Sequence, residues 1–158
     1  MGENTESIKK EIIELFPKLK SDVDFKKTSP IDNNYNCIAW AYNYKERWMW
    51  PGGESEKLLD GFHFWPEGVE DSTDVSSFIK AFELVDYKIC EGSEFESGYQ
   101  KIALYILNNE CTHAARQLRN GMWSSKLGNW YDIQHGTPYT IENDTYGVVI
   151  CIMKRPFP

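Results

Sequence analysis

The chain of 158 residues predicts an α+β domain in which N-terminal helices pack on a small antiparallel β-sheet. Three observations predict it. Apolar residues recur at helical intervals over residues 7–19 and 75–82. Apolar and alternating segments suited to strands gather after residue 86, and two of them flank Arg119-Asn120-Gly121, a hairpin signal. Runs of helix followed by runs of strand indicate an α+β arrangement rather than alternating βαβ units.

The elements follow in order. Ile8, Ile12, Leu15, Phe16 and Leu19 form one stripe of a first helix that must end near Pro17 to Ser21, because proline cannot continue a helix. Residues 22–36 are polar, carry Ser29-Pro30 and Asp32-Asn33-Asn34, and read as a loop. A short second helix begins at Asn36 or Cys37 and runs to Tyr44, which sets Cys37 at a helix start. Residues 45–68 mix Trp48, Trp50, Phe62, Phe64 and Trp65 with Pro51-Gly52-Gly53 and read as an ordered loop. Ser72 or Thr73 caps a helix on which Val75, Phe78, Ile79 and Phe82 share a face, ending before Asp86. Strands are expected over residues 87–90, 100–107, 112–118, 122–126 and 146–153, with a turn at Asn108-Asn109-Glu110. No repeat or linker divides the chain, so residues 1–158 form one domain: a helix and loop over 1–28 and a core over 34–153.

Composition excludes several classes of function. A chain of this length buries about two thirds of the surface its unfolded form exposes, so neither disulfide nor metal is needed to hold it. Acidic residues outnumber basic ones, 24 to 17, for a net charge of −7, and the basic ones form no stripe, so nucleic acid is not an expected partner. No apolar run is long enough for a membrane span, and the first residues lack the basic and apolar regions of a signal peptide. The expectation is a cytoplasmic protein, with delivery as an effector left open. Cys37, Cys90, Cys111 and Cys151 are widely spaced and read as reduced thiols, with no Cys-x-x-Cys pair among them.

Two segments carry candidate chemistry. Cys37, at the head of a helix in Tyr35-Asn-Cys-Ile-Ala-Trp-Ala-Tyr42, is placed for its thiolate to be stabilised by backbone N–H groups. His113, starting a strand, is the natural base for it. Each has a bland reading: a small buried hydrophobe for Cys37, a structural histidine for His113. Cys111 and His113, two apart on a strand, also invite a zinc reading, but no recognised spacing supplies further ligands, and no metal or cofactor is expected.

The order Asn36-Cys37 on a helix, residues 101–105 on a strand, then His113-Ala-Ala-Arg-Gln-Leu118 with Asn120-Gly121, resembles the papain-like cysteine peptidase and amidase superfamily, notably its NlpC-type and CHAP-type branches. It is similar, more closely, to uncharacterised bacterial proteins with an Asn-Cys-x-x-Trp-Ala element and a His-Ala-Ala-Arg-Gln element followed by Gly-x-Trp-x-Ser-Lys-x-Gly, here residues 36–41 and 113–128. The resemblance implies a papain-like fold and a thiol hydrolase acting on an amide, peptide or isopeptide bond of a peptide-like or protein substrate. It also implies a third polar residue about a dozen positions after the histidine, which lands on Ser125, a departure from the usual His, Asn, Asp or Gln. His135 and then Asp132 are the alternative orienters, and Trp40, Arg116 and Lys126 are candidates to line a substrate groove. The competing class is a non-catalytic binding or interaction protein on the same scaffold.

Overall fold

The structure, a computed structural model, describes residues 5–29, 35–42, 48–51, 63–70, 72–127 and 131–157. It is a mixed α+β fold whose main body is a seven-stranded sheet with few helices. Helix α1 spans Thr5–Leu15 and stops where Pro17 opens a 3-10 turn, Pro17–Ser21. Helix α2, Cys37–Ala41, is a little over one turn long, and the expected extension past residue 42 lies outside the described residues. Helix α3, Val75–Glu83, has Asp74 as its N-cap residue rather than Ser72 or Thr73. The Ser72 hydroxyl instead accepts from the Asp74 N–H at 3.1 Å, and the Thr73 carbonyl from the N–H of Cys111 at 2.9 Å.

The strands are β1 (Lys26–Ser29), β2 (Trp48–Met49), β3 (His63–Phe64), β4 (Lys88–Cys90), β5 (Tyr99–Leu107), β6 (Glu110–Gln117), β7 (Trp123–Lys126), β8 (Asp132–His135) and β9 (Val148–Pro156). The large sheet runs β1-β8-β7-β6-β5-β9-β4, and every neighbouring pair in it is antiparallel. Strands β2 and β3 form a separate parallel pair inside what reads in sequence as loop; residues 52–62 between them lie outside the described residues. Strands β1 and β8 also replace expected loops, and because β1 precedes α2 the helices do not all come first. The β5–β6 turn puts Asn108 and Asn109 at φ 53° and 68°, the left-handed pair that a two-residue hairpin demands and that asparagine tolerates. Gly147, at φ 77°, passes so close to the Ile106 carbonyl that a Cβ would stand 1.8 Å from it.

The sheet is covered on both faces. On one, α2 and α3 bury Ile38, Trp40, Phe78 and Phe82 against Ile102, Leu104, Ala114 and Met153. On the other, α1 and its following turn bury Ile8, Ile12, Phe16 and Leu19 against Ala103, Tyr105, Ala115, Trp123 and Ile133. Alternation along β5 and β6 therefore assigns each residue to the α2 face or the α1 face. All four cysteines are free thiols. Among the described residues, no helix is long and apolar enough to cross a membrane.

Candidate functional site

Asn36 fixes the entry to α2. Its side-chain oxygen accepts from the N–H of Ala39 at 3.0 Å and of Met49 at 3.1 Å, while its amide donates to the Met49 carbonyl at 2.7 Å. One asparagine thus caps the helix and ties it to β2, and so sets where Cys37 stands.

That place is an interruption in the sheet. Strands β6 and β7 pair at Arg116↔Ser124 and Gln117↔Trp123 only. The Leu118 N–H points across to the Met122 carbonyl at 2.7 Å, and since alternate N–H groups of a strand point the same way, the Ala114 N–H also points toward β7. Without a β7 pairing there, it acts instead on the Cys37 thiol, whose pKa it lowers. Burial pushes this thiol up to about 11, against the pull of the N–H groups of Ala114, Ile38 and Cys37 itself and of the charge on Lys126. With only 6% of the residue exposed and a helix of little more than one turn behind it, Cys37 rests as a neutral thiol, not the preformed thiolate a longer helix would favour.

His113 neighbours this sulfur through the backbone, but alternation turns its ring to the α1 face. There Tyr146 stacks on it at 4.1 Å and 10°, and the ring of Tyr105 meets it edge-on at 5.1 Å. Its Nε2 lies 3.0 Å from the Ser125 hydroxyl, which lies 2.8 Å from Nε2 of His135, whose Nδ1 lies 2.7 Å from the Thr137 carbonyl. A carbonyl only accepts, so His135 donates from Nδ1 and its Nε2 accepts from Ser125. The Ser125 oxygen then accepts from His113, which carries its proton on Nε2 and leaves Nδ1 a bare lone pair. That Nδ1 is buried without a hydrogen-bond partner, so the thiol is not bonded to the ring. Burial holds both imidazoles neutral: it lowers His113 far below its ordinary range, helped by His135, and lowers His135 to about 4.

The candidates therefore divide between faces. His113, Ser125 and His135 share the α1 face, and the two residues weighed as rival orienters, Ser125 and His135, are successive links of one chain. Asp132 is not among them. It sits on the α2 face, where Oδ2 accepts from the Tyr35 hydroxyl at 2.6 Å and Oδ1 stands 4.0 Å from Lys126 Nζ. Lys126 does not line an open groove, since its side chain is 0% exposed. Arg116 stacks its guanidinium over Trp40 at 3.8 Å and donates to the Trp40 carbonyl at 3.3 Å, so both are committed to packing of α2 on β6. The zinc reading fails on an irregularity: Tyr105 pairs with His113 and Ile106 with Cys111, which makes Thr112 an extra residue and puts Cys111 on the α2 face, opposite His113. Tyr146, which sequence reasoning missed as part of this site, had no signal beyond its place just before the last strand.

Neither the curated proteins nor the solved structures include a match to the chain. The family described as Domain of unknown function (DUF7689) matches residues 26–154, well over half of the chain, and the protein belongs to that family.

Proposed function

For this member of a family without an assigned reaction, we propose a thiol hydrolase on a papain-like scaffold that cleaves an amide, peptide or isopeptide bond, with Cys37 as nucleophile and His113 as base. The hydrogen-bond chain from Thr137 through His135 and Ser125 carries this reading. It supports His113 in the one tautomer whose free nitrogen can take a proton, and that nitrogen lies on the residue next to Ala114, whose N–H acts to lower the Cys37 pKa.

The chemistry follows from those states. The thiol swings toward Nδ1 and loses its proton there as sulfur attacks the substrate carbonyl carbon. The amide C–N bond then breaks, the leaving amine takes the proton from Nδ1, and a thioester remains on Cys37. Water, deprotonated by the same nitrogen, splits the thioester and restores the thiol. The N–H groups of Ala114 and Ile38 are the available donors for negative charge on sulfur or oxygen. A peptide-like or protein substrate suits this reaction.

A second reading, a non-catalytic binding domain, has its own support in the closed burial of Cys37 and its high pKa. The rate of Cys37 alkylation by iodoacetamide from pH 4 to 10 separates the two. A working base makes the wild-type rate rise already below pH 6.5, where Nδ1 is free, and His113→Ala lowers the rate at pH 7 by about a hundredfold. If both profiles rise only toward about 11, the hydrolase is refuted and Cys37 is a core residue.

A further inference from the structure

The His113 ring has a neighbour that the hydrogen-bond chain does not include. A histidine that takes a thiol proton becomes an imidazolium, and in a catalytic triad a carboxylate on the other ring nitrogen answers that charge. Here that position belongs to the Ser125 hydroxyl, which carries no charge, and beyond it stands His135. Among the described residues no carboxylate bonds to the His113 ring, which is 0% exposed. A charge formed there needs another source of stabilisation.

Two tyrosines lie against the ring. Tyr105 meets it at 61° and gives its hydroxyl to the Pro138 carbonyl, while Tyr146 lies nearly parallel to it, at 10° and 4.1 Å between centroids. The face of an aromatic ring is its negative side and attracts a cation laid on it, most strongly where water is excluded. Tyr146 is held in that attitude by several contacts. Asn143 Oδ1 accepts from the N–H groups of Thr145 at 3.0 Å and Tyr146 at 2.7 Å, and Thr112, the extra residue of β6, donates its hydroxyl to the Tyr146 carbonyl. Phe16, just past α1, packs on the Tyr146 ring at 5.3 Å. Gly147 follows at once, so close to the Ile106 carbonyl that the turn carrying Tyr146 has little room to shift.

We propose that the face of Tyr146 stabilises the imidazolium that His113 becomes, in the place that a triad gives to a carboxylate. This rests on His113 acting as the base for Cys37. Tyr146 is a positioning residue, acting on the thiol only through the imidazole.

The test is the Cys37 alkylation rate at pH 7 with phenylalanines of rising fluorination in place of Tyr146. Fluorine drains negative charge from the ring face and nearly preserves its size. Tyr146→Phe keeps the face and holds the rate to within about threefold of wild type, whereas three and then five ring fluorines lower it stepwise, by about tenfold at five. In a His113→Ala background the same series is flat, which separates an effect on the imidazolium from an effect on packing. A series already flat in the presence of His113 overturns the proposal. Should the fluorinated chains not fold, Tyr146→Leu replaces them and loses about tenfold relative to Tyr146→Phe; equal rates for those two refute it. The two ideas fail distinguishably. A wild-type rate equal to that of His113→Ala removes the base and the role of Tyr146 with it, while a fall in His113→Ala beside a flat fluorine series removes Tyr146 alone.

Discussion

The two faces of the sheet bury polar groups by opposite means. On the α1 face, His113, Ser125 and His135 are sealed as neutral groups, each passing one hydrogen bond to the next until a backbone carbonyl ends the series. On the α2 face, Lys126 and Asp132 are sealed as a cation beside a carboxylate, with Tyr35 between roles as donor and ring. Both clusters flank the same interruption between β6 and β7. Burial is therefore compatible with either neutral relays or paired charges, and the difference predicts different responses to mutation and to acid.

The largest response belongs to the charged face. Asp132→Ala removes the carboxylate that Lys126 faces and should destabilise the fold by roughly 3–5 kcal/mol in urea titration at pH 7. A loss under about 1 kcal/mol would mean that the pair contributes little and that the two faces are alike. Acid comes next and strikes the neutral face. His135 binds a proton near pH 6.5 when unfolded but only at about 4 when folded, so the unfolded state holds more protons between those values. Stability is complete above about 6.5 and falls as the pH drops through that window, by about 3 kcal/mol from His135 alone, with His113 adding to the same loss. Urea midpoints at pH 7, 5.5 and 4.5 check the sign, and a flat series would show that the imidazoles are not held neutral. The smallest effect is Ser125→Ala, which leaves a donor on His113 and an acceptor on His135 unmet, for roughly 1–3 kcal/mol. It sharpens the comparison if the acid window narrows at the same time, since His135 can then be protonated with less disturbance to the chain.

Much of this was legible in the residues. The stripe of α1 apart from Leu15, which turns out exposed, the face of α3, the hairpin around Asn120-Gly121 and the central strand β5 all follow from spacing and turn chemistry, because each depends on neighbours within a few positions. Strands β1 and β8 escaped because Lys26-Lys27-Thr28-Ser29 and Asp132-Ile133-Gln134-His135 lack an apolar alternation; they are strands because they pair with each other and with β7. Cys37, His113 and Ser125 were named for the right elements, yet their division between faces was not seen. Alternation separates His113 from Arg116 and Ser125 from Lys126 in any strand, but nothing local says which side α2 will cover. Even alternation misleads at Thr112, whose extra position reverses Cys111.

The series of bonds from His113 to Thr137 has a direction. A proton gained at Nδ1 lets His113 pass its other one to Ser125 while Ser125 passes its own to His135, so a positive charge can step from one ring to the other. It stops there, because Thr137 offers only a carbonyl and the far nitrogen already holds a hydrogen. The two histidines thus share room for a single charge, a closed reservoir rather than a conduit to solvent, and a proton that enters at Nδ1 of His113 must leave by the path on which it came.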